Sequence, residues 1–263
     1  MSIHPTAVVD SRAELGQGVV VGPFAFIDRD VHIGNGCVIG PRATVLAHTR
    51  LGEHCRVHSG AVIGDLPQDM AFNPDCVSYV EVGDRSVFRE GVTVHRGTGE
   101  GSVTRVGSDC LLMANSHVAH NGHVSDRVIL ANGALIAGYA SVGERAFISG
   151  NCMVHQFTRV GRLAMMSGGS AIQKDLPPFC MTRSSASNTV MGMNVVGLRR
   201  SGFSNEERLE LKRAFTLLYR QGQSPMKAIE EIEARFHSVA VHELCEFVRQ
   251  SERGICRFLR DDD

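Results

Sequence analysis

The sequence predicts a mainly β protein, a parallel β-helix of hexapeptide repeats followed by a C-terminal α-helical domain, and three observations predict it. First, an apolar residue recurs at every sixth position: Ile3, Val9, Leu15, Val21, Ile27, Ile33, Ile39, Val45, Leu51, Val57 and Ile63, then Val106, Leu112, Val118, Val124, Leu130, Ile136, Val142, Ile148, Val154, Val160, Met166 and Ile172. An amphipathic helix repeats at about 3.6 residues and a half-buried strand at about 2, so neither produces this period; a hexapeptide solenoid does. Second, many hexads continue with glycine or another turn-forming residue, as in Ile33-Gly-Asn-Gly, Ile39-Gly-Pro-Arg and Val142-Gly-Glu-Arg, which suits a chain turning a corner after a very short strand. Third, the rhythm stops at Leu176-Pro177-Pro178, and helix-start signals follow.

Composition agrees with a soluble globular chain and excludes several classes. Of 263 residues, 43% are hydrophobic and 21% charged, so neither disorder nor a fibrous class is indicated. A formal net charge of -1 gives no global attraction to nucleic acid or an anionic membrane, and an anionic partner must meet a local patch. The opening MSIHPTAVVD lacks the basic and apolar regions of a signal peptide, and no apolar run is long enough to span a bilayer. The expected compartment is the cytoplasm. The eight cysteines form no C-x-x-C pair. Cys37, Cys55, Cys110 and Cys152 each stand four residues after a repeat-defining apolar residue, where other hexads carry Ala61 or Ala134, so they read as small core hydrophobes.

Taken in order, each early hexad is one side of a coil, and coils stack by ladder hydrogen bonds about 4.8 Å apart. The period breaks at Gly64 to Val80 and resumes at Val82, Phe88 and Val94; Gly97 to Thr104 then reads as a flexible protrusion, although Val94 and Val106 stay in phase. The prolines at 177 and 178 end the solenoid, giving a β-helical domain over 1–182 and a helical domain over 183–263. In the second domain Ser204-Asn-Glu-Glu207 is a capping box opening a helix with Leu211, Phe215 and Leu218. Ser224-Pro225 starts another helix, and Val239 to Arg249 forms a third, burying Val241, Leu244, Cys245 and Val248. These helices are expected to cap the open end of the solenoid, with Arg260 and three aspartates as a solvated tail.

Chemistry is expected at the histidines of the central coils, His95, His117, His120, His123 and His155. With an eighteen-residue coil, Val118 and Val154 are two coils apart, which puts His120 and His155 on one side of the solenoid. Two readings compete there. Three histidines such as His117, His120 and His123 could hold zinc, but no cysteine or carboxylate completes a set, and residues three apart around a corner diverge. Alternatively one histidine is a general base that activates a hydroxyl for direct acyl transfer, since no G-x-S-x-G nucleophile elbow occurs.

The segments Ile63-Gly-Asp-Leu-Pro-Gln68-Asp69, Val94-His-Arg-Gly-Thr98, His117-Val-Ala-His120, Ile129-Leu-Ala-Asn132, Val154-His-Gln-Phe157, Asp175-Leu-Pro-Pro178 and Gly197-Leu-Arg-Arg200 resemble the UDP-N-acetylglucosamine O-acyltransferases that open lipid A biosynthesis. The resemblance covers nearly the whole chain. It implies a left-handed β-helix, an exception to the usual right-handed crossover, and a homotrimer with active sites between subunits. It also implies transfer of a 3-hydroxyacyl group from acyl carrier protein to the 3-hydroxyl of the UDP-sugar, the carrier thioester being co-substrate, with no cofactor and no metal. By the same resemblance His120 is the general base, His117 a substrate-side histidine, and Gly138 the backbone donor to the oxyanion. A glycine at 138 also suits a corner that needs positive φ. Gln68 and Asp69 match sugar-contacting positions, His155, Gln156, Asn194 and Arg200 the nucleotide end, and Gly168 the position that sets acyl-chain length. Acyl carrier protein is acidic, and Arg159, Arg162, Arg183, Arg199, Lys212, Arg213 and Arg220 form a basic cluster that could receive it.

Four positions depart from the family pattern: Asn121 replaces an acid, Tyr139 a histidine, Ala71 a lysine and Val196 an acid. Because Asn121 cannot supply the charge that stabilises an imidazolium, a 3-amino acceptor, which demands less of the base, is an alternative to the hydroxyl. A non-catalytic or zinc-binding hexapeptide scaffold is another alternative. The related N-acyltransferase of the same pathway is disfavoured, because the repeat starts too early to leave room for its N-terminal uridine-binding domain.

Overall fold

The computed structural model describes residues 1–258; Arg260 and the three aspartates, expected as a solvated tail, lie outside the described residues. The architecture is the expected left-handed parallel β-helix, whose strands fall into three sheets of 12, 9 and 8 strands. Most strands are two residues long, one residue pointing out and the next in: in Phe147–Ile148 and Met153–Val154 the second residue is buried. Every third strand returns to the same sheet in parallel register, pairing Ser2 with Val20, Val20 with Val38 and Ile129 with Phe147. The period of six therefore selects the inward residue and three hexads close one coil. Only the first coil lacks a neighbour beneath it, which leaves Ile3 42% exposed, whereas Val21, Ile27 and Ile33 are buried.

The corners correct one expectation. Glycine after the repeat-defining residue, Gly64 excepted, is not there for positive φ. A Cβ on Gly143 would lie 2.5 Å from the backbone N of Arg162 in the next coil, so close stacking excludes a side chain. The left-handed residue comes two positions later and is usually not glycine: Arg145, Asn151 and Asn121 have φ of 56°, 53° and 58°. Cys37, Cys55, Cys110 and Cys152 are buried in the core as expected.

Two insertions interrupt the coils; the register shifts locally between Ile63 and Asp65 where the first begins, and regular pairing resumes beyond both. Glu53 lies 31 residues from its neighbour Asp84 across the first, and Thr93 lies 24 residues from His117 across the second, where ordinary coils are 18 apart. The second insertion adds one hexad, so Val94 and Val106 keep their phase. It is not the free protrusion expected of a glycine-rich stretch. Gly99 N–H donates to Ser102 Oγ at 2.9 Å, and the first insertion holds it through Val77 N–H to Glu100 (2.9 Å) and Gly101 N–H to Val77 O (2.8 Å).

The prolines do not stop the solenoid where expected. Leu176 bridges Val160, Pro177 and Pro178 occupy the following corner where no donor is needed, and the strand Cys180–Thr182 adds once more to the first sheet. The strand Thr189–Met193 then runs antiparallel to it, and Arg257–Phe258 completes the sheet. Four helices follow this turn: α1 (Val195–Arg200), α2 (Asn205–Arg220), α3 (Pro225–Arg235) and α4 (Val239–Arg249). The short α1 has no clear signal in the sequence. The capping box of α2 forms in both directions, and Ser224 caps α3. Their apolar faces bury Leu211, Ile229, Val241 and Leu244 together with Leu163 and Phe179 of the solenoid's end, so the helices do cap it.

Candidate active site

The second sheet carries the strands His117–Val118, Leu135–Ile136 and Met153–Val154 in successive coils, with His117 opposite Leu135 and Leu135 opposite Met153. The corner that follows each strand repeats one geometry, its third residue left-handed: Asn121, Tyr139 and Phe157 have φ of 58°, 57° and 62°. His120, Gly138 and Gln156 therefore stack above one another, with His155 beside them. The expected alignment of His120 with His155 is present.

At Gly138 the corner reading is overturned, because the positive φ belongs to Tyr139. What requires glycine is the imidazole of His120. A Cβ on residue 138 would lie 2.5 Å from His120 Cε1 and 2.7 Å from Nε2, so the ring occupies the space a side chain would take. Gly138 N–H donates to no acceptor among the described residues. On its other side His120 Nδ1 is 3.1 Å from Asn121 Oδ1, and the ring edge meets Tyr139 at 5.4 Å between centroids. Asn121 Oδ1 also accepts from Thr98 N–H at 3.1 Å and from Thr98 Oγ1 at 2.9 Å, while Tyr139 stacks on Phe157.

His117 sits one strand inward. Its Nδ1 is 2.7 Å from Thr93 Oγ1, and its ring packs edge-on against His95 at 4.8 Å. Burial pushes His117 down to about 4, and the neighbouring His95 and His120 act in the same direction. Burial also lowers His95. Both rings are thus neutral near pH 7.

Other expected site residues lie apart from this corner within one chain. Gln68 and Asp69 are exposed in the first insertion, where Asp69 caps a turn by accepting from Ala71 N–H at 2.9 Å. Asn194 is the N-cap of α1 and spends both ends of its amide there, accepting from Gly197 N–H and donating to Leu163 O. Arg200 is exposed in the last turn of α1, and Val196 is exposed on the same helix. Gly168 stands at a different corner, after a strand of the first sheet, with Gly150 O 3.8 Å from where its Cβ would be. Two of the basic cluster are otherwise engaged. Arg159 pairs with buried Asp175 at 2.9 Å, and Arg162 with Glu243. Sequence reasoning missed Thr93 and Thr98 as neighbours of the histidines; Thr98 stood in a quoted motif, but nothing in its spacing shows that the insertion folds it onto Asn121. Among the described residues no three metal-binding side chains gather, and no helix is long and apolar enough to cross a membrane.

Comparison with known proteins decides the family. A profile described as UDP N-acetylglucosamine O-acyltransferase, domain 2, matches residues 175–256, and the bacterial transferase hexapeptide profile of six repeats matches 30–65. An acyl-[acyl-carrier-protein]–UDP-N-acetylglucosamine O-acyltransferase of Sulfurihydrogenibium sp. is 51% identical over 97% of this chain and 94% of its own. The chain belongs to this O-acyltransferase family. The enzyme of the same name from Halorhodospira halophila is 44% identical over 97% of this chain and 99% of its own. The crystal structure of the family member from Bacteroides fragilis is similar with a TM-score of 0.93 and 38% identity, covering 97% of this chain and all of that one. The family member from Arabidopsis is similar at 0.84 and 32% identity, covering 97% of this chain and all of that one.

Proposed function

We propose that this member of the family moves a 3-hydroxyacyl group from the thioester of acyl carrier protein to the 3-hydroxyl of UDP-N-acetylglucosamine, the first step of lipid A biosynthesis. The names of its relatives support the two substrates. The observation that carries the residue roles is the packing of the His120 ring into the space a side chain at Gly138 would take, at a residue whose backbone N–H has no acceptor among the described residues. His120 Nε2 takes the proton of the sugar hydroxyl as its oxygen attacks the thioester carbonyl. Gly138 N–H donates to the oxyanion of the tetrahedral intermediate. Collapse breaks the carbon–sulfur bond, and the imidazolium returns its proton to the leaving thiolate. His117, held neutral by burial, offers a hydrogen bond to substrate without competing for that proton.

The remaining assignments are part of the same reading. Gln68 and Asp69 meet the sugar, and His155, Gln156, Asn194 and Arg200 the nucleotide, across the boundary between copies in a homotrimer. Exposed Val8, Phe24, Phe26 and Val38 on the early coils are apolar surface that such association covers. Gly168 leaves a groove open for the acyl chain. No cofactor takes part, and the compartment is the cytoplasm, where the carrier thioester is found. One observation favours a 3-amino acceptor as a second reading: the group beside His120 Nδ1 is a neutral carboxamide.

Mass spectrometry of products from carrier thioesters offered with UDP-N-acetylglucosamine and its 3-amino analogue tests the reaction, an alkali-labile ester being expected and an alkali-stable amide marking the second reading. His120→Ala should leave the fold intact and lower kcat by about 10² to 10⁴. Turnover near that of the wild type overturns the assignment of the base.

A further inference from the structure

The hydrogen bonds around Asn121 have only one consistent direction. A backbone N–H can only donate, so the amide atom that Thr98 N–H meets at 3.1 Å is oxygen and not the NH2 group. That oxygen can only accept. His120 Nδ1, 3.1 Å from it, therefore carries the ring proton in the neutral imidazole, and Nε2 keeps its lone pair. The Thr98 hydroxyl, 2.9 Å from the same oxygen, spends its single hydrogen there. At its 2.8 Å contact with Tyr139 Oη, Thr98 then has only lone pairs to offer, so the tyrosine donates. The chain runs from Tyr139 O–H to Thr98, from Thr98 O–H to Asn121 Oδ1, and meets the Nδ1–H of His120 on that oxygen.

This directed chain answers a difficulty that a carboxamide creates and a carboxylate does not. Both oxygens of a carboxylate accept, so neither face can be wrong. Turned by 180°, the Asn121 side chain would present NH2 to His120 Nδ1, favour the tautomer with the proton on Nε2, and leave no lone pair for the substrate hydroxyl. Tyr139 is itself held, by its stack on Phe157 with rings 4.9 Å apart and 17° from parallel and by its edge contact with His120. We propose that Thr98 and Tyr139 are positioning residues for His120, fixing the face of Asn121 and through it the tautomer in which Nε2 is the base. The proposal rests on His120 being the base, and it concerns the two residues that hold Asn121 and not the base itself.

The experiment compares Thr98→Val, Thr98→Ser and Tyr139→Phe in the wild-type chain and in Asn121→Asp, with kcat and KM measured in each and the His120 tautomer read by nitrogen NMR of ring-labelled histidine. The wild type should show the proton on Nδ1. Thr98→Val should lower kcat by about 3- to 10-fold, the worth of one hydrogen bond, leave both KM values unchanged and raise the fraction protonated on Nε2. Tyr139→Phe should act in the same direction less strongly, and Thr98→Ser should restore kcat. In Asn121→Asp the Thr98→Val change should have little effect, because a carboxylate has no wrong face. An equal loss in both backgrounds means a merely structural threonine and overturns the proposal, as does a wild-type proton on Nε2 or an unchanged kcat in Thr98→Val. Retained turnover in His120→Ala is a different result, since it removes the base and not its positioning.

Discussion

One missing carbon at position 138 decides where the His120 ring can lie. A Cβ there would meet the ring at 2.5 Å, far inside contact distance, and Asn121 and Tyr139 close off the ring's other sides. Gly138→Ala should therefore displace the imidazole and lower kcat by about 10², as misplacement of a catalytic group by about an ångström does. Thermal melting should be nearly unchanged, since φ at 138 suits any residue; a large fall in Tm with kcat retained would contradict this account. His117 gives a second residue-scale expectation. Burial holds it at about 4 in the folded state against about 6.5 when unfolded. Below 6.5 the unfolded chain binds the proton and the folded chain does not, so its contribution to stability is full above pH 6.5 and is lost as the pH falls towards 4. Denaturant unfolding of His117→Gln across that window should show a shallower pH dependence than the wild type, and parallel curves would refute the assignment.

Asp175 ties two elements together. Its buried carboxylate accepts from Arg159 N–H (2.8 Å), Arg159 Nε (2.9 Å) and Ser251 Oγ (2.8 Å), and its backbone bonds Gly254 and Cys256. Arg159 in turn donates to Phe247 O at 2.8 Å and lies over the Phe247 ring. The last solenoid corner, α4 and the C-terminal segment thus share one hub. Asp175→Asn keeps the shape and removes the charge, leaving a partly exposed arginine without its partner. The expected cost is about 2 to 3 kcal/mol, below the range for a fully buried pair because Arg159 reaches solvent. Hydrogen exchange should show faster opening in α4 than in the central coils; uniform acceleration along the solenoid would mean the hub stabilises the whole fold instead.

On the scale of the whole molecule, the charges left for an acidic partner are fewer than the sequence indicates, since Arg159 and Arg162 are engaged in ion pairs. Lys212 and Arg220 remain, with Arg208, around a groove of about 410 Å³ floored by Met193, Val195 and Leu209. If the carrier protein docks there, Lys212→Glu with Arg220→Glu should raise KM for the carrier thioester severalfold and flatten its salt dependence, with kcat at saturation little changed. A KM indistinguishable from the wild type at low salt places the docking surface elsewhere.

The period of six determined, without any structure, the solenoid and, for an eighteen-residue coil, the placement of His120 and His155 on one side. The reason is that an inward apolar residue every six positions leaves one way to close a three-sided coil, and stacking then fixes each residue's neighbours eighteen positions away. The helical cap was legible for the same local reason, because capping boxes act within one turn. Contacts made across a corner or an insertion follow no such rule. That Gly138 serves the His120 ring and not a positive φ, that Leu176-Pro177-Pro178 is a corner and not an end, and that Thr98 reaches Asn121 were decided only in three dimensions. Each depends on how far a side chain or a looped-out segment travels sideways from its coil, a distance the repeat does not encode.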